Sequence, residues 1–115
     1  MQEIRKRKVE SLLREVISTI LVNDEIKDPR LNKLVTVTDV GVSNDLKAAK
    51  VYISVLGSKN AQRTALAALN HAAGFIQKLI GPRIRLRYTP RIEFFYDASL
   101  EKGFRLDQQM KDLAT

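Results

Sequence analysis

Apolar residues recur at helical spacing over residues 3–22, where Val9, Leu12, Leu13, Val16, Ile17 and Ile20 form one stripe. That spacing predicts an amphipathic helix with a single buried face. The polar run NDEIKDPRL (23–31) breaks it, and Pro29 pushes Asp28 out of helical geometry. The β-branched stretch LVTVTDVGV (34–42) predicts a strand, and its apolar parity shifts between Val37 and Val40, which predicts a bulge or twist. SNDL (43–46) has turn chemistry. The strand KAAKVYISVLG (47–57) then puts Ala49, Val51, Ile53 and Val55 on one face and Lys50, Tyr52 and Ser54 on the other.

Helical spacing returns over 61–80 with Ala65, Leu69, Ala72, Ile76 and Leu79; Asn60 is the expected N-cap, and Gly81-Pro82 ends the segment. Residues 83–96 alternate strictly. Ile84, Leu86, Tyr88, Ile92, Phe94 and Tyr96 share one parity, and Arg83, Arg85, Arg87, Thr89, Arg91 and Glu93 the other. This predicts a last strand in which Pro90 marks an edge, a bulge or a break in two. Residues 97–115 are polar, with a last helical turn and a mobile tail expected. The order α-β-β-α-β predicts an α+β two-layer domain, a three-stranded sheet with helices on one face. The open face would carry Lys50, Tyr52, Arg83, Arg85, Arg87 and Arg91.

Composition narrows the class of function. The chain has 115 residues, 44% of them hydrophobic, which suits one globular domain. No apolar run reaches the roughly 20 residues that span a bilayer, and charges interrupt the N-terminal segment where a signal peptide would be apolar. The absence of cysteine excludes disulfides and thiolate metal sites and fits a cytoplasmic protein. A net charge of +7 favours polyanionic partners, nucleic acid first among them. Arg5, Lys6, Arg7 and Lys8 sit in the first turns of the first helix, where cations oppose the helix dipole. They read either as a solvated helix start or as a second polyanion contact.

Catalytic chemistry finds little support. His71 is the one histidine and has no acid at nearby helical spacing; a surface or packing role suits it better than general acid–base work. Asp39, Asp45 and Asp97 lie where strand ends and turns use aspartate. No catalytic residue, metal or cofactor is expected.

The glycine in NHAAGFIQKLIGPRIRLR (70–87) costs a helix about 1 kcal/mol relative to alanine. Two readings stand: Gly74 allows helix and sheet to pack closely, or the small residues Ala72, Ala73 and Gly74 let the helix break. A break near Ala73 would start a second helix at Gly74-Phe75, whose unpartnered N–H groups and Lys78 could face a phosphate.

The segments DPRL (28–31), VTVTDVGVSNDLKAAKVYISVLG (35–57), ALNHAAGFIQKLIGPRIRLRYTPRIEFFYD (68–97) and SLEKGFRLDQQM (99–110), matching in order, strongly resemble the bacterial ribosome-binding factor A family. The resemblance implies a type II KH-like domain over 1–97 with a short tail over 98–115, in which an interhelical kink at Ala72-Ala73-Gly74 replaces the usual Gly-x-x-Gly loop. It further implies a non-enzymatic factor that binds the 30S subunit late in assembly and assists maturation of the 16S rRNA 5′ end. An association with growth in the cold and release by a ribosome-stimulated GTPase are also implied.

The RNA contacts expected are Ala72, Ala73, Gly74 and Lys78 at the kink, and Arg83, Arg85, Arg87 and Arg91 along the last strand. Lys50 and Tyr52 on the sheet and Arg5, Lys6, Arg7 and Lys8 on the first helix complete the set. The partners expected are the 30S subunit and precursor 16S rRNA, with no membrane and a monomeric chain. The competing expectation is a basic interaction module for an acidic protein.

Overall fold

The computed structural model describes residues 2–31 and 35–98. Helix α1 (Gln2–Val22) leads through a 3-10 turn (Pro29–Leu31) to strands β1 (Val35–Val42) and β2 (Ala48–Val55). Helices α2 (Lys59–His71) and α3 (Ala73–Ile80) follow, then a second 3-10 turn (Gly81–Arg83) and strand β3 (Arg91–Tyr96). The sheet order is β1-β2-β3, with β1 antiparallel and β3 parallel to β2. This is the type II KH-like α+β fold, with its break between α2 and α3. The tail expected after residue 98, including SLEKGFRLDQQM, lies outside the described residues, as does Leu34.

The core forms where the periodicities meet. Val9, Leu13, Ile17 and Ile20 of α1, Val51 and Ile53 of β2, and Ile76 and Ile80 of α3 are buried together with Phe94 of β3. Leu12 leaves the expected stripe: it is 36% exposed, on the α1 flank that turns away from the sheet. The parity shift in β1 is a bulge between Val37 and Asp39, opposite Ile53 and Tyr52 of β2. It lets Val37, Val40 and Val42 all face the core.

α1 ends on Asp24 in the left-handed region (φ 54°), with Glu25 N donating to Ile20 O at 3.1 Å. That turn is a helix terminus of the Schellman kind, usually built on glycine. The α2 cap lies two residues earlier than expected. Ser58 Oγ accepts from Ala61 N at 3.1 Å and is the N-cap, while Asn60 lies inside the helix and its carbonyl accepts from Thr64 Oγ1 at 2.8 Å.

The largest departure is at 83–90, which is not a strand. β2 first pairs with β3 at Ala48↔Arg91, and Arg91 N donates to Lys47 O at 2.8 Å. Before Ala48 the chain turns away into the β1–β2 hairpin, so residues 83–90 have no neighbouring backbone to pair with. Pro90 lacks a donor and is buried at the point where the ladder starts. Ile84 still points inward and Arg85 and Arg87 outward, but Tyr88, expected inside, is 64% exposed.

Candidate nucleic-acid interface

The expected contacts, at the kink, along an arginine strip with the sheet face and on the first helix, fall in the structure into four local sites. The first is the kink. The helices separate at Ala72 (φ −89°, ψ 2°), one residue before the expected position, and no side chain caps α3. Ile76 N donating to Ala72 O at 2.9 Å begins the α3 ladder, so Gly74 and Phe75 present N–H groups ahead of it. Gly74 is exposed, and a methyl group built on it would meet nothing within 4 Å. Close helix–sheet packing therefore does not require glycine here. Phe75, which the sequence did not single out, is 50% exposed beside it. Lys78 is exposed one turn on.

The outer edge of β3 fixes both arms of this kink. Asn70 of α2 bonds twice to the Phe94 backbone, and Gln77 of α3 accepts from Ile92 N through Oε1 at 3.3 Å. Seven helical residues rise about 10.5 Å, whereas two strand residues advance about 6.6 Å. The bend at Ala72 and the longer Gln77 arm take up that difference.

The second site is the open sheet face. Lys50 and Tyr52 lie on it as expected, and Phe95 of β3 joins them. The Tyr52 and Phe95 ring centroids are 5.9 Å apart, and Lys50 Nζ lies 5.7 Å from the Phe95 centroid. Arg91 is exposed at the start of the same strand, followed two residues later by exposed Glu93. Only Arg91 among the four arginines belongs to the sheet.

The third site is a cavity of about 310 Å³ lined by Arg5 of α1, Asn44, Asp45, Leu46 and Lys47 of the β1–β2 turn, and Leu86, Arg87 and Tyr88 of the 84–90 segment. The Arg87 guanidinium lies 5.5 Å from the Tyr88 ring centroid. The basic run on α1 is divided between two surfaces. Arg5 faces this cavity and Lys6 Nζ donates to Asn44 Oδ1 at 3.4 Å, while Arg7 and Lys8 line a separate shallow depression with Ile4 and Leu12.

The fourth site is an ion pair rather than a free cation. Arg83 donates to both Glu25 oxygens, at 3.0 Å through Nη1 and more closely through Nη2. The bond from Arg83 holds the Glu25 carboxyl below the usual carboxylate range, and Glu25 in turn raises the guanidinium. Arg85 projects freely into solvent from the next stretch.

The acids are committed to turns. Asp28 accepts from Arg30 N, Nε and Nη2, and these bonds bring it down to about 2. Asp45 Oδ1 accepts from Ser43 Oγ at 2.7 Å and Lys47 N at 3.0 Å, and Asp97 accepts from Thr38 Oγ1. Among the described residues no charged side chain is buried, and no three metal-binding side chains converge.

Residues 5–110 match the family described as ribosome-binding factor A. A ribosome-binding factor A from Halothermothrix orenii is 45% identical over 96% of this chain and 89% of its own length. One from Acetivibrio thermocellus is 48% identical over 86% of this chain and 80% of its own length. Among solved structures, the crystal structure of the Thermus thermophilus factor has a TM-score of 0.68 at 30% identity, covering 79% of this chain and 93% of that one. A Thermus thermophilus homology model fitted into a cryo-EM map of a complex between the 30S subunit and the factor has a TM-score of 0.65 at 28% identity, covering 79% and 93%.

Proposed function

This chain belongs to the ribosome-binding factor A family, and we propose that it is a 30S-binding ribosome assembly factor that contacts rRNA without performing covalent chemistry. One observation carries the reading from the chain's own geometry: the uncapped, exposed N-terminus of α3 at Gly74, with Lys78 one turn on. The N–H groups and the helix dipole there favour a phosphate, and the bare glycine lets an RNA backbone come close. Arg85 and Arg87 add counterion release, and Phe75 offers an aromatic face. Assistance with 16S 5′-end maturation, release by a ribosome-stimulated GTPase and action in the cytoplasm follow from the family likeness as parts of the same proposal. The assistance is conformational: binding shifts rRNA toward whichever fold the protein prefers, by the difference in its affinity for the two.

The test is co-sedimentation with 30S subunits across a salt series. Wild-type chain is expected to bind with an affinity that falls steeply with salt, and Lys78→Glu combined with Arg85→Glu to lose most of it. Wild-type affinity that persists after complete RNA digestion would instead establish an acidic protein as the partner.

A further inference from the structure

We propose that the cavity between α1, the β1–β2 turn and the 84–90 segment is a slot for a single unstacked nucleotide of RNA. It would be separate from the kink, and the proposal rests on the RNA-binding reading above. The cavity is assembled from three parts of the chain, and its volume of about 310 Å³ falls within the range of small-ligand sites, about 300–1,000 Å³. Its walls combine the three chemistries that an unpaired nucleotide needs.

Tyr88 supplies the stacking surface. It is 64% exposed in a position whose sequence neighbours Ile84 and Leu86 turn inward, and Arg87 lies over its ring at 5.5 Å. A base added to that pair continues a stack of planar groups, as aromatic and guanidinium platforms do in single-strand binders. Leu46 and Leu86 give the slot an apolar side. Leu46 does so from the left-handed region (φ 60°), where a leucine is strained and a glycine would be relaxed. The turn therefore keeps a bulky apolar residue at the one position that disfavours it.

Phosphate neutralisation comes from Arg5, Arg87 and Lys47 at the walls. The one acid, Asp45, already accepts from Ser43 Oγ and Lys47 N and is held ionised by those bonds, so the lining remains net cationic. Asn44, with amide donor and acceptor, is the group able to read a base edge. Lys6 reaches its Oδ1 from α1.

The slot lies at a different place from the kink. β3 starts beside Lys47, whereas the kinked helices reach β3 further along, at Ile92 and Phe94. An RNA strand bound at both would have one phosphate group at Gly74 and one splayed base beyond the start of β3.

The experiment compares a fluorescein-labelled hexauridylate with an otherwise identical hexamer that is abasic throughout. Wild-type chain is expected to bind the base-bearing hexamer at least about fivefold more tightly, the lower end of the range for one base stacked on an aromatic ring. Tyr88→Ala should cut that gap by about fivefold or more, leaving whatever part Phe75 supplies, with affinity for the abasic hexamer and its salt slope unchanged; Tyr88→Trp should preserve the gap. Equal wild-type affinity for the two hexamers, no measurable binding of either, or a gap unchanged by Tyr88→Ala would overturn the slot. Free UMP binding as tightly as the hexamer would overturn the assignment to a nucleotide within a chain. Co-sedimentation with 30S subunits is run alongside. Its failure sinks the assembly-factor reading without touching the hexamer result, and a flat hexamer result sinks the slot while 30S binding stands.

Discussion

Asn70 and Phe94 exchange two hydrogen bonds: Phe94 N donates to Asn70 Oδ1 at 2.8 Å, and Asn70 Nδ2 donates to Phe94 O at 3.1 Å. One amide side chain on α2 thus takes the place of a fourth strand at the middle of the β3 edge. An open parallel edge would leave this donor and acceptor unpaired next to the buried Phe94 side chain. The same pair fixes the end of α2 one turn-fraction before the break at Ala72, so edge protection and kink geometry share a residue.

Asn70→Ala is therefore expected to destabilise the fold by about 1–3 kcal/mol, the range for leaving buried polar groups without partners. Asn70→Asp keeps an acceptor for Phe94 N but loses the donor to Phe94 O, and should fall between alanine and wild type at neutral pH. Urea midpoints with an unchanged m-value check both. An Asn70→Ala midpoint equal to wild type would show that water replaces the amide at no cost.

Gly74→Ala separates the packing and backbone-access readings of the kink. Because a methyl group there meets nothing within 4 Å, folding stability should be unchanged or raised, by up to about 1 kcal/mol from helix propensity. Affinity for 30S subunits should fall severalfold, since the methyl group stands where a phosphate would approach the α3 N–H groups. Thermal melting and co-sedimentation on one preparation decide it. A lowered melting point would mean that glycine serves the fold.

Alternation and parity made much of this fold legible in the sequence. Val51 and Ile53 declared the buried face of β2, and the misplaced parity of Val37 and Val40 declared the β1 bulge. Small residues at 72–74 located the break to within one position. Alternation failed at 83–90 because it reports which side chains turn inward, not whether a partner backbone exists. That partner was missing because the β1–β2 hairpin turns away before Ala48, a fact about pairing register rather than about local pattern. Tyr88 was misplaced for the same reason, and the cavity it lines joins Arg5, Leu46 and Leu86, which nothing in their local sequence connects. Pro90 was the available signal, since it bars a continuous strand.

Acid titration should report the Asp28–Arg30 turn. Three donors of Arg30 (its backbone N, Nε and Nη2) lower Asp28 from 3.8 to about 2. A carboxyl depressed in the folded state stabilises it above the unfolded value and loses that contribution as protons bind. The contribution is full above about pH 5 and fades as pH falls toward about 2. Glu25, depressed by Arg83, adds to the same acid loss. Asp28→Asn should therefore show less stability than wild type at pH 7 and a shallower decline below about pH 4, measured as urea midpoint against pH. Parallel curves for the two proteins would contradict the assignment.

Arg83 and Arg85 stand two residues apart and are expected to fail in different assays. Arg83 is paired with Glu25 and joins the end of α1 to the turn after α3, whereas Arg85 is exposed in the extended stretch that follows. Arg83→Gln should lower the melting midpoint and leave the salt dependence of 30S binding nearly unchanged, because its charge is already neutralised in the free protein. Exchanging the charges, Glu25→Arg with Arg83→Glu, should recover part of the lost midpoint. Arg85→Gln should leave the midpoint unchanged and reduce the log–log salt slope by about 0.7, the value for one phosphate contact on a single strand. Equal slope changes for the two variants would mean that the ion pair opens on the ribosome and that Arg83 turns from Glu25 to phosphate when it binds.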